Sequence, residues 1–196
     1  MTHHDQHHHD HERRFHGAAE RLRHPQRLEL LEIERVVRLA RESASIDSVL
    51  DVGTGTGVFA EAFGKENLRV AGIDPDPDLL AVARKFVPQG SLQVAVAEKL
   101  PFEDGSFDLV FLGHVLHETD DPVAALAEAR RVARKMIMVL EWPYIQEDRG
   151  PPLAHRLDPE QVLELARAAG IPSLERITLA HMELFRALMP AISQTR

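Results

Sequence analysis

The chain has no cysteine. That absence excludes disulfides, thiolate metal ligands, a cysteine nucleophile and cysteine-held iron–sulfur clusters. Basic residues are also short: 23 Lys plus Arg stand against 31 Asp plus Glu, for a formal charge of -8. That balance, without aromatic–basic interleaving, argues against a nucleic-acid partner. No apolar run reaches the length of a membrane span, so no membrane insertion is expected. The N-terminal stretch lacks the hydrophobic segment of a secretory signal, which makes the cytoplasm the expected location. What the chain does have is 196 residues, 44% of them hydrophobic, enough for one domain with a sizeable core.

Histidine is concentrated at one end. Residues 1–16 hold seven of the twelve, from His3 to His16, with almost no apolar residue to anchor them. The composition predicts a disordered, solvated arm. Its imidazoles and carboxylates could bind a divalent metal such as zinc, nickel or copper, and its acidic interruptions set it apart from a simple purification tag.

Beyond the arm, apolar residues at helical spacing between Arg27 and Arg41 predict one amphipathic helix. Short apolar runs then alternate with helical patterns. SVLDV, LRVAGID, SLQVAV, FDLVFLG and MIMVLEW read as strands; GVFAEAFGKE, PDLLAVARKFV and DDPVAALAEARRVAR read as helices. This alternation indicates an α/β fold with a mostly parallel sheet. Residues 143–157 form a polar loop with two consecutive prolines, and DPEQVLELARAAG is a capped helix. Two final strand-like segments, SLERITL and HMELFRALM, follow without a long helix between them, which predicts an antiparallel C-terminal hairpin.

The most informative stretch is LDVGTGTG, residues 50–57. Alternate glycines after a buried strand let the backbone adopt φ > 0 and let a ligand lie against a helix N-terminus. A dinucleotide fingerprint requires G-x-G-x-x-G, but Val58 occupies its last position. Asp74 ends the next strand, at about the 20-residue interval expected of a carboxylate that grips ribose hydroxyls. Asp51 stands immediately before the turn, where a carboxylate suits an ammonium and would be unhelpful beside a pyrophosphate. S-adenosylmethionine has that ammonium and no phosphate. Asp51 could instead cap the turn that follows it.

With LDVGTGTG, VAGIDPD, AEKLPFEDGSFDLVFLGHVLHE and PVAALAEARRVAR in this order, the chain resembles the class I S-adenosylmethionine-dependent methyltransferases. It is most similar to their ubiquinone/menaquinone-biosynthesis-like branch. The resemblance implies a Rossmann-like three-layer sandwich around a seven-stranded sheet, with residues 17–196 forming a single domain under an N-terminal helical cap. It also implies a cofactor set. Asp51, Gly53, Thr54, Gly55 and Gly57 would line the methionyl and ribose side, Asp74 and Pro75 the ribose, Ala97 and Glu98 the adenine edge, and Gly113 with His114 the methyl donor. At Val96 the family often has an aspartate that reaches the adenine amino group; here the side chain can only pack on the ring. VARKMIMV also lacks the glycines that commonly precede the fifth strand, which predicts a tighter turn.

Methyl transfer needs alignment and water exclusion, and a base only when the acceptor must lose a proton. Candidate bases are His114 and His117 in GHVLHE, and His155 on the 143–157 loop. Structural alternatives are a hydrogen-bonded loop histidine for His114 and a helix-surface residue for His117. A metal site built from His114, His117, Glu118 and His155 has weak support, because HxxHE is not a zinc-hydrolase spacing. The expected activity is methyl transfer to a small-molecule acceptor. The alternatives are an NAD(P)-dependent oxidoreductase and a noncatalytic adenosyl-ligand or metal-binding module. The sequence leaves the oligomeric state open, a homodimer included.

Overall fold

Burial of continuous apolar runs on both sides organises the chain around one sheet. The computed structural model describes residues 19–190; the His-rich arm, with its expected disorder and metal binding, lies outside them. Three short helices come first, α1 (Ala19–Leu22), α2 (Pro25–Leu30) and α3 (Ile33–Ser43). Strand β1 (Ser48–Val52), α4 (Val58–Lys65), β2 (Arg69–Asp74), α5 (Pro77–Phe86) and β3 (Ser91–Val94) form the first half of the sheet. Strand β4 (Phe107–Gly113), α6 (Pro122–Val132), β5 (Ala133–Glu141), α7 (Pro159–Ala168), β6 (Glu175–Thr178) and β7 (Glu183–Leu188) complete it.

The seven strands lie in the order β3-β2-β1-β4-β5-β7-β6. Pairs among the first five are parallel, whereas β7 is antiparallel to both β5 and β6. The fold is therefore the expected Rossmann-like sandwich with a reversed C-terminal hairpin. Alternate residues of each inner strand face opposite layers. Leu50, Val110, Leu112, Ile137 and Val139 pack with α6 and α7 residues such as Leu126 and Val162. Val49, Leu109, Phe111, Met136 and Met138 pack on the other side with Val36, Phe59 and Phe63. Phe102 and Phe107 belong to the first of these cores, their ring centroids 4.9 Å apart.

The helix expected over Arg27–Arg41 is two helices. Glu32 adopts φ 47, a left-handed conformation that ends one run and starts the next. Its carboxylate offsets this backbone cost by accepting from Arg35 at 3.2 Å and from the His181 N–H at 3.1 Å. The break frees α2 from the sheet-packing direction of α3 and lays it across the strand ends. At the other helix–strand junction, α6 gives way to β5 with no residue between them, in line with the missing glycines.

Asp108 anchors the central strands at the N-terminal end of β4. Its fully buried carboxylate accepts from the Asp47 N–H at 2.9 Å and from Arg134 Nε at 2.7 Å, with Lys135 Nζ at 3.3 Å. Burial pulls its pKa up, but the Asp47 hydrogen bond and the two cations outweigh this and hold it below the usual carboxylate value. A depressed pKa contributes stability above the unfolded value near about 3.9, lost as pH falls through the folded value. Asp108→Ala is expected to lower unfolding free energy by about 2 kcal/mol or more at pH 7, since it orphans the Asp47 donor and two cations. Urea melts at pH 7 and below pH 4 check this, with the difference from wild type shrinking at the lower pH.

Candidate active site

Strand β1 has neighbours whose connections leave in opposite directions, β2 on one side and β4 on the other, and a crevice opens where they part. The β1 end is held by its carboxylate. Asp51 Oδ2 accepts from Thr54 Oγ1 at 2.7 Å and from the Ala60 N–H at 3.1 Å, tying strand, turn and α4 together. Asp74 makes the matching tie from β2: Oδ2 accepts from the Gly55 N–H at 2.8 Å and Oδ1 from the Asp76 N–H at 2.9 Å. Each Asp74 oxygen keeps a lone pair for a further donor.

Glycine is required at this turn. Gly53 has φ 65, and a Cβ there would stand 2.2 Å from Val115 Cγ2. Arg23 braces the turn from the cap, donating to the Thr56 carbonyl at 2.9 Å and to Glu61 at 2.8 Å while its guanidinium lies 3.3 Å from the Phe86 ring centroid.

On the other side of the crevice, β4 ends at Gly113 and His114 follows with φ 61. Its N–H continues the ladder to the Leu140 carbonyl, and its ring lies 5.2 Å from that of Trp142. Only 8% of His114 is exposed, and neither ring nitrogen has a hydrogen-bond partner among the described residues. His117 is buried too, its Nδ1 2.7 Å from Glu141 Oε2 and its Nε2 3.7 Å from Glu118 Oε1. Arg156 ties the 143–157 loop over Trp142: its guanidinium donates to the carbonyls of Pro143, Arg149 and Pro151 and to Glu147. Between the β1–β2 side, this wall and α1–α2 lies a cavity of about 1150 Å³. That volume accommodates a nucleoside and a second small molecule together.

Residues 50–136 match the methyltransferase domain family. Demethylmenaquinone methyltransferase of Chlorobaculum tepidum is 38% identical over 87 residues, 44% of this chain and 36% of that protein. The ubiquinone/menaquinone biosynthesis C-methyltransferase of Citrifermentans bemidjiense is 34% identical over 105 residues, 48% and 45% of the two chains. The chain thus spans less than half the length of these curated relatives. The crystal structure of an S-adenosylmethionine-dependent methyltransferase from Aquifex aeolicus superposes with TM-score 0.78 at 25% identity, covering 88% of this chain and 97% of that one. Residues 50–136 are thus similar to methyltransferase domains, and the fold is that of an S-adenosylmethionine-dependent methyltransferase.

The cavity wall contains Asp51, Gly53, Thr54 and Gly55 from the turn, and Asp74 with Pro75 from the end of β2. Ala97 and Glu98 line it beyond β3, and Gly113, His114 and His117 beyond β4, with His155 on the loop. Gly57 is placed elsewhere. It packs against α5, where a Cβ would meet Ala83 and Val87 at 3.1 Å, so its bareness serves helix packing rather than the wall. Val96 lines the cavity and is 40% exposed. His117 is buried rather than on a helix surface, and Arg156 clamps the loop. Among the described residues, no group of three or more His, Asp or Glu is arranged to hold a metal, and no helix is long and apolar enough to cross a membrane.

Electrostatics separate the two histidines. Burial pushes the His114 pKa well below the ordinary imidazole value, helped by Arg27 and His117, so it resists protonation. Burial acts the same way on His117, but the Glu141 carboxylate and its hydrogen bond outweigh it and raise that pKa. The Glu141 pairing carried no sequence signal, because a strand-terminal Glu looks solvated until the fold buries it. Arg27 was equally hidden among the charges of an amphipathic helix.

Asp51 is pushed up to about 7 by burial, with Asp74 adding to the rise and the Thr54 and Ala60 hydrogen bonds opposing it. A carboxyl raised in the folded state binds more protons than in the unfolded chain between about pH 4 and pH 7, so its contribution to stability declines as pH rises through that window. Asp51→Asn keeps an acceptor oxygen and removes the titration. Thermal melts of ligand-free protein from pH 5 to pH 8 are expected to show wild-type Tm falling relative to the variant; a constant difference contradicts the assignment.

Proposed function

We propose that this chain transfers a methyl group from S-adenosylmethionine to a small-molecule acceptor, in the cytoplasm. The observation that carries this reading is the pair of carboxylates, Asp51 and Asp74, at the ends of adjacent parallel strands on either side of a bare glycine turn. Such a crevice fits a nucleoside bearing an ammonium and repels a pyrophosphate. Arg23, the cation beside the turn, is already engaged by Glu61 and the Thr56 carbonyl, so it leaves no counter-charge for phosphates. That weighs against the oxidoreductase alternative.

When bound, S-adenosylmethionine supplies an activated methyl group on a sulfonium. The roles of the chain's own groups follow from their positions. Asp74 accepts from the ribose hydroxyls with the lone pairs its backbone bonds leave open, and Asp51 faces the ammonium. Pro75, Val96 and Ala97 provide apolar surface and backbone for the adenine, with Glu98 fixing the loop by accepting from the Asp120 N–H at 3.0 Å. Trp142, the clamped 143–157 loop and α2 exclude water from the acceptor side.

Proton removal from the acceptor falls to His117 rather than His114. With Nδ1–H donated to Glu141, Nε2 carries the lone pair that takes the proton, and the buried Glu141 carboxylate stabilises the resulting imidazolium. His114 stays uncharged and offers a polar contact beside the reacting groups; His155 stands on the loop at the cavity wall.

Two outcomes are expected. S-adenosylhomocysteine raises the Tm of the chain while NADH does not, and Asp74→Ala weakens S-adenosylhomocysteine by roughly tenfold or more, as loss of a charged acceptor implies. A Tm rise with NADH alone would overturn the reading. Once an acceptor is in hand, His117→Gln is expected to lower turnover by about 10²-fold or more and to remove the acidic limb of the pH profile, with cofactor affinity unchanged. Equal loss in His114→Gln, with that limb intact in His117→Gln, would reverse the assignment.

A further inference from the structure

Two polar side chains at the β4–β5 side of the cavity carry buried nitrogens with no hydrogen-bond partner among the described residues, and both lie near Trp142. Both ring nitrogens of His114 are buried without a hydrogen bond. Arg27, on α2, also has a buried Nε without a partner, and its side chain makes no ion pair or hydrogen bond among the described residues. Its guanidinium lies 6.0 Å from the Trp142 ring centroid, over the end of β5, and is close enough to His114 to act on its titration. Burial lowers the Arg27 pKa, Glu118 opposes this, and Arg21 adds to it. Buried donors left unmade are costly, and a desolvated guanidinium more so, which makes this corner incomplete without a ligand.

The surroundings state which ligand. Asp51, Asp74 and Asp76 line the β1–β2 side of the cavity and Glu98 and Glu118 lie beyond β3 and β4, whereas Arg21, Arg27 and Arg149 lie on the cap and loop, where Arg27 feels Glu118. A basic corner in a chain of formal charge -8 departs from its overall balance. Leu30, Leu31, Val115 and Trp142 supply an apolar wall next to it. Resting on the methyltransferase reading, we propose that this corner receives the carboxylate or phosphate group of a partly apolar methyl acceptor, held by the Arg27 guanidinium beside the His114 ring. A guanidinium offers the planar fork that either oxyanion accepts from, and His114 contributes one N–H without adding charge. Gly53 of the glycine turn stands against Val115 of this wall, so the cofactor's own carboxylate is the competing occupant.

Calorimetric titration of the full chain tests this, first with S-adenosylhomocysteine and then, on the saturated protein, with benzoate, phenyl phosphate and the neutral isostere benzamide. At least one of the two anions is expected to bind about tenfold or more tightly than benzamide, the factor expected of a charge-assisted hydrogen bond. Arg27→Gln is expected to abolish that preference and Arg27→Lys to keep part of it, with S-adenosylhomocysteine affinity within about twofold of wild type in both, which also reports an intact fold. Benzamide binding as well as both anions, or an anion preference that survives Arg27→Gln, overturns the proposal. So does an Arg27→Gln loss of affinity for S-adenosylhomocysteine but not for 5′-methylthioadenosine, which would place Arg27 on the cofactor's carboxylate. Failure of the wild-type chain to bind S-adenosylhomocysteine in the first titration would instead overturn the methyltransferase reading, and this proposal with it.

Discussion

Two buried carboxylates hold the crevice open, and the other features of the site are arranged around them. Asp51 joins β1 to the first turn of α4 through Thr54 and Ala60, and Asp74 joins β2 to the glycine turn through Gly55. Neither is neutralised by a salt bridge among the described residues. Backbone and hydroxyl donors stabilise part of each charge, while burial raises both pKa values. A site built this way is incompletely satisfied alone and becomes complete with a cation on one carboxylate and hydroxyl donors on the other. The fold therefore selects the charge type of its ligand before any side chain reads its shape.

The opposite wall follows a different logic. His114 sits in a left-handed conformation at the end of β4, against Trp142, and neither nitrogen of its ring has a hydrogen-bond partner among the described residues. Three residues later the chain makes a 3-10 turn, Leu116–Glu118, which carries His117 back to Glu141 at the end of β5. Two imidazoles in one short segment thus acquire opposite tendencies: one held neutral by burial, one sustained as a proton acceptor by a buried carboxylate. Arg156 holds the 143–157 loop in place by gathering its carbonyls around a single guanidinium, and Gly150, at φ 76, lets the backbone lie against Trp142.

Much of this was legible in the sequence, for identifiable reasons. Apolar runs of strand length, alternating with capped helices, specify a parallel sheet because each strand must be buried on both faces. The glycine spacing and two strand-end carboxylates then marked the β1–β2 wall of the cavity. Glu32 was not legible, because residues 28–39 keep helical spacing through the break and only tertiary contacts with Arg35 and the His181 N–H sustain its conformation. Gly57 looked like its neighbours in the turn, and its separate duty against Ala83 and Val87 depends on where α5 packs. Arg27 and the pairing of Glu141 with His117 were not legible for a shared reason: a charged residue on an amphipathic helix or at a strand end signals solvent, and burial arises only when the cap and the loop close over it.

The most direct measurement of the central claim is a crystal structure of the chain with S-adenosylhomocysteine. The account predicts ribose hydroxyls on the Asp74 carboxylate, the amino group toward Asp51, and the adenine between Pro75 and Ala97. A nucleoside bound with its ribose away from Asp74, or a pyrophosphate-bearing ligand seated on the Gly53–Gly55 turn in its place, would contradict it.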